Sequence, residues 1–552
     1  MEPTRRTLLK AGAAVGVAST LSCLQALPAD ARTGASRVRS DPFRLGVASG
    51  DPWPDGFVLW TRLAVKPLAE DGLGGMPRAA IAVLWEVAED PRMRRVVRRG
   101  AVTARPQHAH SVHVTLRDLR PGREYWYRFS VGSWVSETAR TRTAPAPWSM
   151  PESLAMSFAS CSQYEHGFFT AYRRLAEDEP DLILHLGDYQ YEYTAGVYVA
   201  PGGNPRDHAG PETTDLATYR QRHAQYKTDA DLQAAHAVAP WLVIWDDHEV
   251  DNNWADEINE KPEDQAGFLA RRAAAFQAYY ENMPLRRSSA PAGIDLRLYR
   301  RAPWGRLVNF HMLDTRQYRD DQACGDGYDA CPEADDPNRT ITGDAQERWL
   351  INGFRRSTAR WDVIGQQVFF AQRDADAGEP EVVSMDAWDG YAASRERVTR
   401  GWVDAGVRNA VVLTGDVHAH WASDLKLDYN DETSRTVGAE LVCSSITSGG
   451  DGTDSATRAH PWLAHNSHLQ FQNSLRGYVR TTITREGMTA DFRCLPYVSR
   501  PGAPVFTRAT FAMHDRQPGL DLTYDNPPAA TSARVRPPEQ KLRGDATSRQ
   551  ET

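Results

Sequence analysis

Hydrophobic and polar positions divide the chain into two parts with different periods. Between Asp41 and Pro147 the apolar runs are short, and in several of them apolar and polar residues alternate. Turn residues such as Pro121-Gly122 separate these runs. Short strands at this spacing predict a small β-sandwich over residues 41–147. The clearest predicted strands are residues 56–62, 80–87, 111–116 and 124–131.

A stiff Pro-containing linker at residues 143–147 leads into a second pattern. Apolar runs of strand length now alternate with segments of helical periodicity, which is typical of an α/β layered domain. We assign this domain to residues 150–515. The predicted strands are residues 153–160, 181–186, 241–245, 307–313, 363–370 and 410–413. The predicted helices are residues 168–179, 217–238, 268–281, 346–357 and 391–405. The closing runs at 440–447 and 478–493 favour antiparallel strands.

The first residues are typical of a secretory signal. Arg5-Arg6 precedes an apolar, small-residue run at 11–27, and Ala29-Asp30-Ala31 is a small-x-small cleavage site. This pattern predicts a twin-arginine signal peptide over residues 1–31, export by the twin-arginine machinery and a secreted or periplasmic location. The run is too short and too weakly apolar to predict a membrane-spanning helix. Cys23 could carry a lipid anchor, and the sequence leaves this alternative open.

Length and charge restrict the classes of protein that remain. A chain of 552 residues is too long for one core and predicts at least two domains. Its net charge of −8, with no basic block, argues against nucleic acid as a partner. Residues 526–552, rich in Pro, Ser, Arg and Glu, are predicted to be disordered.

Five cysteines remain after the predicted signal peptide, so in an oxidising compartment one of them stays unpaired. Cys324 and Cys331 enclose a turn-rich loop that a local disulfide could close. Cys443 and Cys494 lie in strand-like runs and could form a second pair. Cys161 would then be the free thiol.

Candidate metal ligands follow four of the predicted strands. In open α/β sheets, ligands bind beyond the carboxyl ends of the strands. Two histidines at i and i+2 on extended backbone also share a face, so we expect both histidines of the last motif to reach one binuclear centre. The candidate positions are Cys161, then Asp188 and Tyr191, then Asp246 to Glu249, and finally Asp416, His418 and His420.

Three of these motifs make the chain resemble a known family. Gly-Asp-Tyr-Gln-Tyr at 187–191, Trp-Asp-Asp-His-Glu at 245–249 and Thr-Gly-Asp-Val-His-Ala-His at 414–420 resemble the calcineurin-like metallophosphoesterase superfamily. They are closest to its PhoD-type alkaline phosphatases, a group that includes a secreted phospholipase D. Further similar segments are residues 43–52, 57–62, 313–319 and 386–391. Ser160-Cys161 replaces the usual Asp-x-His of the superfamily, and this departure itself favours the PhoD-type branch.

The resemblance implies a four-layer αββα catalytic domain behind a fibronectin- or immunoglobulin-like sandwich. It also implies that Asp188 bridges two metals, that Cys161, Tyr191 and one of the two closing histidines, with His420 preferred, hold Fe³⁺, and that Asp247 and His418 hold the second metal. Thiolate and phenolate favour a trivalent ion, whereas carboxylate and amide oxygens suit Ca²⁺. The choice of Tyr191 over Tyr189 requires a turn after Asp188. Further Ca²⁺ ligands are left open among Asp246, Asp251, Asn252 and Asn253.

The implied reaction is attack on phosphorus by a metal-bound hydroxide. We expect His248 to stabilise the transition state or to protonate the leaving oxygen. Arg316 is either a bidentate phosphate clamp or a buried partner of Asp314.

The sequence therefore predicts an exported, monomeric phosphate-ester hydrolase, with an alkaline phosphatase acting on mono- and diesters as the leading hypothesis. A calcium-dependent phospholipase D acting on phospholipid head groups is the alternative. A binding protein with a dead site is disfavoured, because every metal motif is intact.

Overall fold

The computed structural model describes residues 29–431 and 433–528. Most of the predicted signal peptide, with Cys23, and the predicted tail beyond 528 lie outside these residues. Within the described part, no helix is both long and apolar enough to cross a membrane.

The strands are numbered along the chain: β1 Val47–Trp53, β2 Gly56–Arg62, β3 Ile81–Ala88, β4 Val96–Ala104, β5 Ser111–Thr115, β6 Glu124–Val131, β7 Trp134–Val135, β8 Ala139–Arg142, β9 Ser153–Ala159, β10 Leu182–Leu186, β11 Trp241–Ile244, β12 Arg300–Trp304, β13 Val308–Met312, β14 Tyr328–Asp329, β15 Trp361–Gln366, β16 Val383–Ser384, β17 Ala410–Thr414, β18 His420–Lys426, β19 Thr436–Val442, β20 Leu469–Asn473, β21 Arg476–Thr484, β22 Gly487–Leu495, β23 Phe506–His514 and β24 Gln517–Asp525.

The α-helices of the described residues are α1 Ala29–Ala35, α2 Thr170–Glu177, α3 Leu216–Lys227, α4 Ala230–Val238, α5 Gln265–Asn282, α6 Gly343–Arg356 and α7 Ala392–Asp404. The single helix predicted over 217–238 is therefore two helices. Asp229 separates them, because its side chain caps α4 by accepting hydrogen bonds from the backbone of Asp231 and Leu232 at 2.9 and 3.3 Å.

The N-terminal part is a β-sandwich that shares one layer with the catalytic part. Its own sheet contains β4, β3, β6 and β7, with β8 paired to β6. Its facing layer is β1, β2 and β5, and apolar side chains such as Phe57, Leu59, Val83 and Phe129 fill the space between the layers. β1 also pairs in parallel with β11, through Gly50 and Trp241. These three strands therefore extend the catalytic sheet.

The catalytic part contains a ten-stranded and a seven-stranded sheet. Their orders are β24-β23-β22-β21-β9-β10-β11-β1-β2-β5 and β12-β13-β15-β17-β19-β18-β20. One large core contains residues of both sheets and of the helices α2 to α5, for example Phe158, Leu184, Phe276 and Val411. A second core lies between the seven-stranded sheet and the helices α6 and α7, around Phe354 and Trp402. The layers are therefore αββα, and the predicted fold class is confirmed.

Cysteine pairing is confirmed for one predicted pair and wrong for the other. Cys324 and Cys331 form a disulfide. Cys443 and Cys494 are free and buried, like Cys161. Cys443 directly follows β19 of the seven-stranded sheet, whereas Cys494 is in β22 of the ten-stranded sheet. Strand-like sequence could not reveal that the two residues belong to different sheets.

Candidate metal centre

Left-handed backbone turns follow the strands that carry the candidate ligands. Cys161, Asp188, Asp416 and His418 have φ values of 60°, 56°, 59° and 54°. Non-glycine residues rarely adopt this conformation, and such strain is concentrated at functional sites. Position 187 requires glycine, because its φ is 106° and the Cβ of any other residue there would lie 2.4 Å from the Cβ of Asp246. These turns direct the segments that follow the strands into one buried region.

A first cluster contains a thiol, a carboxylate, an imidazole and a phenol. The possible ligand atoms of Cys161, Asp188 and His418 all lie within 4.8 Å of one another. The Tyr191 hydroxyl donates to Asp188 Oδ2 at 2.8 Å and lies 3.1 Å from His418 Nε2. The Tyr189 hydroxyl instead lies 2.8 Å from His236 Nε2, away from this cluster. The turn at Gly187 and Asp188 thus brings Tyr191, and not Tyr189, to the site.

The structure places His418 and His420 in different surroundings. His418, not His420, lies beside Cys161 and Tyr191. The argument from a shared strand face is wrong, because His418 has a left-handed backbone and β18 begins only at His420. His420 Nδ1 accepts a hydrogen bond from the backbone of Ser444 at 2.9 Å, and its ring packs on Phe492. Among the described residues, His420 belongs to no ligand cluster.

A second cluster is formed by carboxylates. Oxygens of Asp246, Asp247 and Asp416 lie within 4.8 Å of one another, and Asp188, Asp247 and His248 form an overlapping group. Asp188 therefore belongs to both clusters, as expected of a bridging ligand. Asp416 was among the candidate positions but was assigned to neither metal, although its Gly-Asp motif after a strand repeats that of Gly187-Asp188.

Three buried carboxylate oxygens indicate that cations belong here. Asp188 Oδ1, Asp246 Oδ2 and Asp247 Oδ1 have no hydrogen-bond partner among the described residues. Burial raises the pKa of the Asp188 and Asp246 carboxyls well above their usual values, and the nearby charge of Asp247 adds to this. Buried polar atoms are normally satisfied, so these oxygens fit hard cations such as Ca²⁺. The thiol, phenol and imidazole of the first cluster fit Fe³⁺.

His248 lies over the first cluster and is held by a carboxylate that the sequence did not indicate. Its ring stacks on Tyr191 at a centroid distance of 4.1 Å. Its Nδ1 lies 2.8 Å from Glu192 Oε2, and the other oxygen of Glu192 accepts from the backbone of Asn252. Burial alone would lower the pKa of His248, but the charges of Asp247 and Glu192 raise it well above its usual value.

Arg316 is neither a free phosphate clamp nor a partner of the Asp314 carboxylate. Its Nε donates to Asp246 at 2.6 Å, and both Nη atoms donate to Asp386. Asp314 instead accepts the backbone N–H groups of Arg316 and Gln317. All five positions in this network are buried. Arg316 thus holds a wall of the carboxylate cluster, with its guanidinium already engaged by two carboxylates.

Of the remaining candidate Ca²⁺ ligands, Asp251 is already engaged. Its carboxylate pairs with Arg271 at 2.6 Å and accepts from Asn259. The amides of Asn252 and Asn253 contact Glu260 and Asp326 at the outer side of the site.

A second arginine near the carboxylates has no acidic partner. The guanidinium of Arg373 lies over the rings of four aromatic residues, and its charge lowers the pKa of Asp416 against the larger opposing effect of burial. Arg373 Nη2 donates to the Tyr328 hydroxyl at 2.6 Å, while Nε is buried without a partner. Within the described part of the chain, no carboxylate pairs with this guanidinium. The four rings are those of Tyr328, Phe369, Trp421 and Trp462, with centroid distances of 5.8, 4.4, 5.7 and 5.4 Å.

Family models match nearly all of the described chain. The PhoD-like phosphatase model matches residues 155–492, and the model of the PhoD-like phosphatase N-terminal domain matches residues 28–145. The chain belongs to the PhoD-like phosphatase family. It is 49% identical to alkaline phosphatase D of Bacillus subtilis (strain 168) over 517 residues, which cover 94% of this chain and 88% of the relative. A solved structure described as "Structure of PhoD" has a TM-score of 0.87 and 50% identity, covering 89% of this chain and 94% of that one.

These matches confirm the predicted family and the predicted class of enzyme, a phosphatase that hydrolyses phosphate esters.

Proposed function

We propose that this protein is an exported alkaline phosphatase that hydrolyses phosphate mono- and diesters with Fe³⁺ and Ca²⁺ bound in adjoining sites. The observation that carries the proposal is the set of unpartnered, buried carboxylate oxygens beside a thiol, a phenol and an imidazole. We assign Fe³⁺ to Cys161, Asp188, Tyr191 and His418. We assign Ca²⁺ to Asp188, Asp246, Asp247 and Asp416. When bound, such cations lower the pKa of coordinated water and neutralise charge on phosphoryl oxygens.

His248 is the proposed proton donor to the leaving oxygen. Glu192 engages Nδ1 of the ring, so Nε2 is the nitrogen left for the substrate. The Gln190 amide donates to the backbone carbonyl of His248 at 2.8 Å and fixes the main chain at this point. Stacking on Tyr191 holds the ring plane. Orientation of this kind gives a proton donor a defined direction before the substrate arrives.

Arg373 is the proposed contact for the phosphoryl group, in place of Arg316. A buried cation without an anionic partner is costly, and binding an anion removes that cost. The guanidinium is planar and offers several donors, which suits the oxygens of a phosphate ester. Its charge already acts on Asp416 at the edge of the carboxylate cluster.

Phospholipid head groups are a second candidate substrate class. Val197 and Val199 are 64% and 54% exposed, on the segment that follows Tyr193. Tyr193 and Tyr198 pack near His248 and Tyr191, and the Tyr193 hydroxyl donates to Asn252. An apolar rim next to the site would favour an ester with an apolar substituent, such as the diacylglycerol part of a phospholipid.

Turnover of p-nitrophenyl phosphate, bis-p-nitrophenyl phosphate and phosphatidylcholine vesicles, with and without Ca²⁺, tests the proposal. We expect hydrolysis of the first two, loss of activity on Ca²⁺ removal and bound iron by elemental analysis. Asp416→Asn should lower activity and Ca²⁺ affinity, whereas the exposed Asp521→Asn serves as the matched control. Turnover of the vesicles alone would favour the phospholipase alternative, and no turnover of any substrate would refute both.

The proposed export rests on the twin-arginine pattern at Arg5 and Arg6. Replacing both residues by lysine in the full chain should retain the protein in the cytoplasm, while a change at Lys10 should not. Light scattering of the purified protein tests the expected monomer.

A further inference from the structure

The loop closed by the Cys324–Cys331 disulfide forms part of the wall around the proposed phosphate contact. Six residues lie between the two cysteines, and most of them are exposed. Tyr328 is the exception that points toward the site, since its hydroxyl accepts a hydrogen bond from Arg373 Nη2 at 2.6 Å. Asp326 on the same loop accepts from the Asn253 side chain at 2.7 Å. The loop therefore contacts both Arg373 and Asn253.

Tyr328 supplies the hydrogen bond that sets the orientation of Arg373. Phe369, Trp421 and Trp462 enclose the guanidinium, but ring faces allow a planar cation to slide and rotate. The Tyr328 hydroxyl is the directional contact that the described residues give to the guanidinium. With Nη2 engaged there, Nε is buried without a partner. Among the described residues no hydrogen bond engages Nη1, which is the donor left for an anion.

The other contacts that hold the loop are local ones. Its two-residue strand β14 pairs with β16, through Tyr328 with Ser384 and Asp329 with Val383, the Met385 N–H donates to the Gly327 carbonyl at 2.9 Å, and the Tyr328 ring packs on Trp462. Two-stranded ribbons of this size are not stable by themselves. The apolar cluster under the loop is small, consisting of Ala323, Cys331, Ala334 and Met385 with Val383 packed against it. A covalent link that restricts the loop is therefore expected to matter for the placement of Tyr328.

We propose that Tyr328 is a positioning residue for Arg373, and that the Cys324–Cys331 disulfide holds Tyr328 in place. The proposal rests on the proposed role of Arg373 as the phosphate contact. It means that oxidation of this pair completes the recognition of phosphate, so that the exported, oxidised protein binds its substrate more tightly than the reduced one. The chemistry is the loss of two electrons and two protons from the two thiols to an external thiol oxidant.

The test uses full-length, metal-loaded protein and variants in place of reductants, since a reductant would also act on Fe³⁺. Tyr328→Phe and Cys324→Ser/Cys331→Ser are compared with wild type for kcat, KM on p-nitrophenyl phosphate and Ki for inorganic phosphate. We expect KM and Ki to rise about tenfold, as for loss of one hydrogen bond to a charged group, while kcat changes less than twofold. Tyr524→Phe, which removes the hydroxyl of a half-exposed tyrosine in β24, is the matched control.

Combining the variants distinguishes a shared effect from two separate ones. If the disulfide acts through Tyr328, the triple variant should raise Ki no further than Tyr328→Phe alone. The proposal would be overturned if the triple variant multiplied the effects of Tyr328→Phe and of the cysteine replacements on Ki, or if KM and Ki were unchanged in Tyr328→Phe. A wild-type protein with no phosphatase activity would instead refute the proposed function. An unchanged Ki in Arg373→Gln, with active wild type, would refute the role of Arg373 on which this inference rests.

Discussion

Arg316 and Asp386 form a bidentate ion pair inside the protein, with Nη1 donating to Oδ1 at 2.6 Å and Nη2 to Oδ2 at 2.9 Å. Arg319 and Gln322 donate to the same carboxylate. Through Nε, Arg316 also fixes one oxygen of Asp246, leaving the other for a cation. The guanidinium is thus the link between the carboxylate cluster and the segment around Asp386.

Arg316→Lys tests this link. A lysine cannot reproduce the fork, so Asp386 and Asp246 lose charge-assisted hydrogen bonds in a buried site. Breaking a buried pair of this kind costs about 3–5 kcal/mol. We expect a lower free energy of unfolding, weaker Ca²⁺ binding and a reduced kcat with little change in KM, measured by urea unfolding and steady-state kinetics. A variant with unchanged stability and a raised KM would instead restore the phosphate-clamp hypothesis.

The two histidines that the sequence could not separate should differ in iron binding. His418→Ala removes an imidazole beside Cys161, Asp188 and Tyr191, so we expect it to abolish bound iron. His420→Gln keeps a side chain that can accept the hydrogen bond from Ser444, and we expect it to retain iron. Elemental analysis of the two purified variants decides between these roles. Loss of iron in His420→Gln alone would return the ligand role to His420.

Two neighbouring tyrosines offer a spectroscopic test of the phenol ligand. A phenolate bound to Fe³⁺ should give a visible charge-transfer band, and Tyr191→Phe should remove or shift that band. Tyr189→Phe is the control, because its hydroxyl contacts Lys227 and His236 and not the metal cluster. A colourless wild type that is fully active without iron would refute the assignment.

Glu440 makes a pH-dependent contribution to stability away from the metal centre. Its carboxylate accepts the backbone N–H groups of Phe370 and Ala371 and the hydroxyl of Thr414. Burial raises its pKa from 4.5 to about 7. Because the folded state binds this proton more tightly, the stability that the group confers is present at low pH and is lost as pH rises between 4.5 and 7, by up to about 3 kcal/mol.

Glu440→Gln should therefore have a different pH dependence from wild type. We expect the free energy of unfolding of wild type, relative to that of the variant, to be higher at pH 5 than at pH 8. Effects of metal release at low pH are common to both proteins and cancel in this difference. A relative stability that is constant or rises over this range would show that Glu440 is ionised in the folded state throughout.

The candidate ligands were predictable because their signals are local. A short apolar run followed by Gly-Asp or by Ser-Cys reveals both a strand and the end at which its ligands lie. Family resemblance then selected Tyr191, although extended backbone would have sent it away from the site. The left-handed turns at Asp188 and His418 could not be predicted from periodicity, and they explain why Tyr191 and His418, and not His420, lie in the cluster around Cys161.

The sequence by itself determined the layered α/β class, the sandwich before it and the family, and it indicated the strand ends at which the candidate metal ligands lie. Each depends on residues that are close together in the chain. Only the tertiary structure decided that the sandwich shares a layer with the ten-stranded sheet, that Arg316 is engaged by Asp246 and Asp386, and that no carboxylate of the described residues pairs with the Arg373 guanidinium. These relationships join residues 60 or more positions apart in sequence, where the pairing of charges is set by how the two sheets face each other.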